Sequence, residues 1–465
     1  MTGLPVLTFL GGTHTVTGSK TLLETGAHRL LVDAGLFQGR KELRRRNWEP
    51  LPVAAASIDA VLLTHAHIDH CGFLPRLVRE GFTGPVYCTA GTRALASIVL
   101  PDSAHLQEEE AEYANRRGSS RHRPARPLYT GEDAAAALGS FRSVEFGDPT
   151  EVLAGIDVTW RRAGHILGAS SLSIRVGDGG PTIAFSGDLG RPTHPLLLPP
   201  DPIGAADVVV IESTYGDQEH RDVDPSDALA AVVNDTAARG GVVVIPAFAV
   251  DRTEVVLWYL DQLAEQGRIP DLPVFVDSPM ANRALDLYRH EVRGRSPELR
   301  PELFGRELFS SLNIVETTTP AESMALNDRT GPFVIVSASG MATGGRVVHH
   351  LAHRLGDPRN TIALVGFQAP GTRGDRLRGG AGAVKIFGQY HPVRAEVASV
   401  DLSTHADRSE LLDWLAPAHD PEVVFVNHGE VAASTSLADE IRARTGRLAV
   451  VPAPDERVVV TARRR

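Results

Sequence analysis

The chain has 465 residues, 42% apolar and 22% charged, which is enough for two to four domains with ordinary cores and excludes a disordered or collagen-like chain. Lys+Arg count 47 against Asp+Glu 57, a net charge of −10, which excludes a basic nucleic-acid coat while leaving room for a local basic groove. The two cysteines, Cys71 and Cys88, are too few for a disulfide framework, no basic leader precedes a long apolar run, and no apolar run approaches ~20 residues. These features predict a soluble, cytoplasmic chain.

In chain order, short β segments come first: Val6 to Leu10, Thr21 to Glu24 and Arg29 to Asp33. Asp59 to Thr64 (DAVLLT) is a continuous apolar run, as in a strand buried on both faces. A helix over Gly72 to Glu80, a strand over Pro85 to Ala90 and a long helix over Thr92 to Arg117 follow. Strands are predicted again at Val152 to Arg161, Leu172 to Val176, Thr182 to Ser186 and Val208 to Glu212. From about Ser226 to Leu377 helices and apolar strands alternate: helices at Asp227–Ala238, Thr253–Gln266 and Arg346–Arg354, strands at Gly241–Pro246, Val274–Asp277, Phe333–Ser337 and Thr361–Val365. That rhythm predicts a parallel sheet with helices on both faces. Strands at Val384–Phe387, Glu396–Val400 and Glu422–Asn427, with helices at Arg408–Leu415 and Val431–Arg444, complete the chain. The basic clusters Arg40–Arg46 and Arg116–Arg126 read as solvated loop or helix faces.

Histidine is where the sequence departs from the ordinary. The strand ending at Thr64 runs into His65-Ala66-His67-Ile68-Asp69-His70, four candidate metal ligands in six residues. In extended backbone, residues i and i+2 point to one side, so His65 and His67 can share an ion while a turn brings Asp69 and His70 to a second. Imidazole and carboxylate ligands suit zinc ahead of manganese or iron. A core could not hold three imidazoles and a carboxylate without compensation. Further ligands are expected at other strand ends beside glycine: His165, Asp188 and His428. Taken alone, each is equally a turn residue or a hydrogen-bonded histidine.

With these residues in view, the chain resembles a metallo-β-lactamase-fold hydrolase of the β-CASP ribonuclease family. The HxHxDH signature is matched by His65, His67, Asp69 and His70. The resemblance implies a first ion on His65, His67 and His165, a second on Asp69, His70 and His428, and Asp188 bridging them. It makes Asp33 a structural support of the site. It implies an acidic residue at Glu212 and a histidine at His405, within Ser-Thr-His-Ala-Asp. It also places at His428 a position that is His in RNA-processing members and commonly Val in DNA-processing ones. The implied fold class is α/β: an αββα sandwich over residues 1–214 and 380–465, with an inserted β-CASP α/β domain over residues 215–379.

Two further stretches fit a phosphodiester substrate. Ser337-Ala-Ser-Gly-Met-Ala-Thr-Gly-Gly-Arg346 follows a strand and opens a helix, so its small residues let backbone N–H groups approach an anion. Ser337, Ser339, Gly340, Thr343, Gly344 and Arg376 are the candidate substrate contacts. Gly366 to Leu377 resembles a family stretch but carries Asp375 where Arg is expected, and Asp251 stands where Gly is usual.

The sequence therefore predicts an enzyme that hydrolyses phosphodiester bonds of single-stranded RNA, in a cleft between its two domains. A hydroxide held between two Zn²⁺ ions (Mn²⁺ as the alternative) is the expected nucleophile. His405, oriented by Glu212, and Asp69 are the expected catalytic residues. Endonucleolytic cleavage is favoured because the chain stops soon after its last helix and strand. A 5′-to-3′ exoribonuclease, a DNA phosphodiesterase and a small-molecule hydrolase are the alternatives. The expected partner is single-stranded RNA, without a membrane and with a homodimer open.

Overall fold

The apolar runs become strands of three main sheets in the computed structural model, which describes residues 4–118, 122–220, 224–419 and 421–462. The chain divides into two units: residues 1–219 with 405–465, and residues 220–404.

The first unit is built on two seven-stranded sheets. One has the order Arg457–Val459, Val6–Phe9, Thr21–Glu24, Arg29–Val32, Ala60–Leu62, Val86–Thr89, Phe141–Val144. The other runs Ala449–Val450, Val423–Val426, Val208–Ile211, Thr182–Phe185, Ser170–Val176, Ile156–Arg162, Thr150–Leu153. Alternate residues of both form one core: Leu7, Phe9 and Leu62 from the first meet Trp160, Phe185, Val210 and Phe425 from the second. The Phe9 and Phe425 rings lie 5.0 Å apart. Each fully buried side chain of this size contributes roughly 1.5–3 kcal/mol. Helices Leu74–Arg79, Ala90–Arg117 and Gly131–Gly139 accompany the first sheet, and Val431–Thr445 packs on the second, giving an αββα sandwich.

Strand direction sets where the chemistry falls. Arg29–Val32, Ala60–Leu62 and Val86–Thr89 are mutually parallel, as are Thr182–Phe185, Val208–Ile211 and Val423–Val426. Their carboxyl ends carry Asp33, the 64–70 turn, Asp188, Glu212 and His428, where open parallel sheets place ligands.

The second unit holds a parallel six-stranded sheet in the order Asn313–Glu316, Pro273–Val276, Phe333–Ser337, Val242–Pro246, Thr361–Leu364, Glu396–Ser399. Its core joins Val244, Ile335 and Ile362 to Leu351 and Val347 of helix Val347–Arg354. A hairpin, Ala383–Ile386 with Gln389–Pro392, packs Val384 and Ile386 into the same core.

Several elements differ from the sequence expectations. The chain returns to the first unit at His405, not at residue 380, because Glu396–Ser399 adds in parallel to Thr361–Leu364. The single strand expected over Val152 to Arg161 is a hairpin, Thr150–Leu153 and Ile156–Arg162, turning at Gly155 with φ +73°. Helices Gly131–Gly139, Pro279–Gly294 and Pro320–Asp328 and strands Phe141–Val144 and Asn313–Glu316 were not anticipated. The first basic cluster is largely the exposed helix Lys41–Arg46; residues 119–121 of the second lie outside the described residues. Among the described residues no helix is long and apolar enough to cross a membrane.

Helix Arg252–Glu265 buries Glu254 completely, and among the described residues neither of its carboxyl oxygens finds a hydrogen-bond partner. Burial first, and then the Asp251 carboxylate beside it, push the Glu254 pKa well above the usual glutamate value. The folded state thus favours the protonated acid. Its stabilising effect is complete below the unfolded pKa of ~4.3 and is lost as pH rises towards the raised folded value. Glu254→Gln should therefore be more stable than wild type at pH 7–8, by ~1–3 kcal/mol, with the gap closing towards pH 4.5. Urea unfolding across that range measures it, and parallel curves would rule out a buried neutral acid.

Candidate metal centre

The site grows from Thr64, the last residue of the buried run. Its hydroxyl donates to Asp33 Oδ2 at 2.9 Å and lies 3.0 Å from His65 Nδ1. Asp33 also accepts the Thr64 backbone N–H at 2.8 Å and sits 2.8 Å from His70 Nδ1. One carboxylate and one hydroxyl thus orient two imidazoles and turn their Nε2 atoms inward. The next turn is held from outside. Ser19 N–H donates to the Asp69 carbonyl at 2.8 Å, and Gly35 packs so closely that a Cβ there would meet the Asp69 oxygen at 1.6 Å.

Two groups of ligand atoms result. Those of His65, His67, His165 and Asp188 lie within 4.8 Å of one another, and so do those of Asp69, His70 and His428. In the first group, His67 Nδ1 is 3.2 Å from both His65 Nε2 and His165 Nε2. In the second, His70 Nε2 and His428 Nε2 are 3.1 Å apart. Asp188 stands between them. Its Oδ2 is 3.6 Å from His65 Nε2 and 3.9 Å from His165 Nε2, while its Oδ1 is 3.3 Å from His70 Nε2.

Such an array suits a divalent cation. Among the described residues Asp188 Oδ1 and the Nδ1 atoms of His165 and His428 are buried and make no well-aligned hydrogen bond, although His428 Nδ1 lies 3.2 Å from Asp188 Oδ1. Lone pairs of neighbouring imidazoles converge where only a cation or a proton relieves their repulsion. Burial first, then neighbouring imidazoles, push His65 and His165 well below the ordinary histidine value, so they offer lone pairs. Burial opposes ionisation of Asp188 too, but His428, His70 and His65 outweigh it and hold the carboxyl well below the usual range. His70 goes the other way. Burial opposes its charge, yet Asp188 and Asp33 raise it well above the ordinary value, so a metal there displaces a proton.

Beside this array, Glu212 Oε1 accepts the Leu189 N–H at 2.7 Å and Oε2 accepts the Thr214 N–H at 3.1 Å. His405 Nδ1 lies 3.5 Å from Glu212 Oε1, and its ring centre is 4.3 Å from that of His165. The structure thus brings together all seven expected ligands and both expected neighbours. Thr64 was overlooked in the sequence; a hydroxyl directly before the first histidine was the signal.

The expected phosphate loop is more mixed. Thr343 and Gly344 are exposed and Ser339 half-buried, with the Ser339 hydroxyl accepting Thr343 N–H at 3.2 Å. Ser337 is buried and donates its hydroxyl to the Asp277 carbonyl at 2.8 Å, so it has none to offer a substrate. Gly340 is buried against the Phe248 ring, 2.8 Å from where a Cβ would stand. Arg346 is tied by Asp277 Oδ1 at 2.8 Å and the Thr318 carbonyl at 3.0 Å. Arg376 is exposed on helix Arg373–Arg378.

Family models match along the chain: Metallo-beta-lactamase superfamily at residues 16–231, Beta-Casp domain at 253–377, and Zn-dependent metallo-hydrolase RNA specificity domain at 390–452. The chain is similar to Ribonuclease TTHA0252 of Thermus thermophilus, with 40% identity over 425 residues, covering 90% of this chain and 92% of that protein. It is also similar to Transcription termination factor FttA of Methanocaldococcus jannaschii, with 31% identity over 451 residues, covering 94% and 68%. A crystal structure of a protein of unknown function from Enterococcus faecalis V583 shares the fold, with a TM-score of 0.52 at 16% identity, covering 98% of this chain and 100% of that one.

Asp33 makes a separable prediction. Asp33→Asn should weaken divalent-metal retention about 10–100-fold, because His70 loses its carboxylate partner. His405→Ala should leave retention unchanged. Elemental analysis after dialysis against graded chelator reads both. Equal retention by Asp33→Asn and wild type would remove the orienting role.

Proposed function

This chain belongs to the β-CASP family of metallo-β-lactamase-fold hydrolases, and from that membership and the geometry of its site we propose that it is a di-zinc ribonuclease cutting within single-stranded RNA. The observation that carries the reading is Asp188, one oxygen towards each of two imidazole groups, with His405 and Glu212 alongside. A small-molecule hydrolase of this fold needs the ligands but not the flanking pair. The relative named as a ribonuclease and the RNA-specificity match over residues 390–452, which contains both His405 and His428, favour RNA as substrate.

Two bound zinc ions would supply polarised water and offset the charge developing on the phosphoryl oxygens. His65, His67 and His165 would hold one, Asp69, His70 and His428 the other, with Asp188 fixing their spacing. Glu212, anchored by two backbone N–H groups, holds His405 through its Nδ1, leaving Nε2 to give a proton to the departing oxygen. Ser339, Thr343 and Gly344 would contact substrate phosphates, with Arg376 as a further cation.

The deciding experiment uses zinc-loaded protein with end-labelled and circular single-stranded RNA. Circles opened to linear products establish internal cleavage. Intact circles with mononucleotide release from linear RNA would establish the exonuclease instead, and cleavage of DNA alone would replace the substrate. His405→Ala should keep two metal equivalents by elemental analysis yet lose ~10²–10⁴-fold in cleavage rate. Near-normal cleavage with both metals present would remove the proton-donor role.

A further inference from the structure

The hairpin Ala383–Ile386 and Gln389–Pro392 carries more aromatic surface than its packing requires. Val384 and Ile386 already bury its inner face in the core of the second unit. The register Ile386↔Gln389 leaves Phe387-Gly388 as a two-residue turn, with φ +48° and +85°. That is the backbone of a type I′ turn, where Asn-Gly is the relaxed choice. A bulky aromatic at positive φ is strained there. Yet Phe387 is 64% exposed, its ring tilted against that of the exposed His349 with centres 4.6 Å apart. Tyr390 is 70% exposed on the outer face, with Lys385 as its cross-strand neighbour and Nζ 6.0 Å from the ring centre. A strained, water-facing aromatic beside a second one calls for a use outside the fold.

The surroundings are cationic in a chain whose net charge is −10. Lys385 is one of only three lysines, and Arg376 is exposed on the helix beside the hairpin. Arg373 ties the hairpin to the Ser339–Arg346 loop, donating to the carbonyls of Lys385 and Ala342. The carboxylate of Asp375, next to Arg376 in the chain, is occupied by Arg378 at 3.0 Å and the Gly371 N–H at 3.1 Å. Exposed rings with cations alongside them match a strand of bases joined by phosphates.

We propose that Phe387 and Tyr390 form a base-stacking platform for single-stranded RNA, with Lys385 and Arg376 on the adjoining phosphates. The proposal rests on the RNA reading of the active site and adds a binding surface carried by the second unit. Stacking explains why the turn keeps phenylalanine against its backbone preference. Specificity would be for single strands over duplexes, since paired bases offer no free face.

The test is fluorescence anisotropy of the zinc-loaded protein with a labelled 24-nucleotide 2′-O-methyl oligoadenylate, checked intact on a gel, and with an abasic strand of equal length. Phe387→Asn and Tyr390→Ser should each weaken oligoadenylate binding about tenfold or more and leave abasic binding unchanged. Phe387→Trp should restore it. Lys385→Ala should weaken both strands and reduce the slope of log affinity against log salt by about 0.7. Phe387→Asn should melt no lower than wild type, because it relaxes the turn, which separates lost binding from lost folding. Unchanged affinity in both aromatic variants, or equal losses on the abasic strand, would overturn the platform. So would a shift from dimer to monomer in sedimentation with RNA affinity intact, which would make the hairpin a self-association surface. If wild type binds the strand but cleaves no RNA, the nuclease reading fails and the platform stands. If wild type binds neither strand, both fall.

Discussion

Five imidazoles and two carboxylates drawn into one largely buried space form the constraint on which the first unit depends. Their ring nitrogens stand 3.1–3.2 Å apart, so close that a proton or a cation has to lie between them to offset lone-pair repulsion. Folding has to bear the cost of holding them there, and a divalent cation would offset it. Metal binding free energy is then also folding free energy. Much of the surrounding architecture acts to keep these groups together: the Asp33 and Thr64 brace, the Ser19 clamp on Asp69, and the close fit of Gly35.

The two sheets make that concentration possible because neither could do it alone. The first supplies Asp33, His65, His67, Asp69 and His70 from adjacent parallel strand ends; the second supplies His165, Asp188, Glu212 and His428. Trp160, buried in the shared core, donates its indole N–H to the Leu63 carbonyl at 3.3 Å and so ties the sheets together one residue before Thr64. The position of His428 depends on the 185 intervening residues of the second unit returning the chain at His405, so that Val423–Val426 can pair with Val208–Ile211.

What was legible in the sequence follows from how local the signal is. Four ligands in six residues cannot be a core, and glycine beside His165, Asp188 and His428 marked strand ends that the structure brings together. Helix Pro279–Gly294 was also locally written, with Ser278 capping and Pro279 at its first position, but its charged outer face hid the buried Ala281, Leu285, Tyr288 and Val292. Non-local facts were not legible. Glu396–Ser399 belongs to the second unit because of a partner some thirty-five residues away. Ser337 was a candidate substrate contact by position, but the carbonyl of Asp277, sixty residues earlier, takes its hydroxyl. Asp277 also takes Ser323 and His350 and is held down to about 2, burial opposing and those hydrogen bonds prevailing. That makes the region behind the loop a rigid support for it.

Backbone strain separates the working parts from the frame only when read with surroundings. Among the described residues Asp33, His428 and Phe387 all have positive φ without being glycine, and so does Arg295. Arg295 merely ends helix Pro279–Gly294 in the left-handed position where glycine would be relaxed, and donates its N–H back to Val292. Nothing about its side chain requires that conformation. Asp33 and His428 differ because the same backbone turn aims a carboxylate at His70 and an imidazole at His70 Nε2. Glycine would relieve the strain at either position and remove the group that the strain positions. At Phe387 the strain is present and the side chain is aimed at solvent. By the same reasoning, what that side chain serves lies outside the chain.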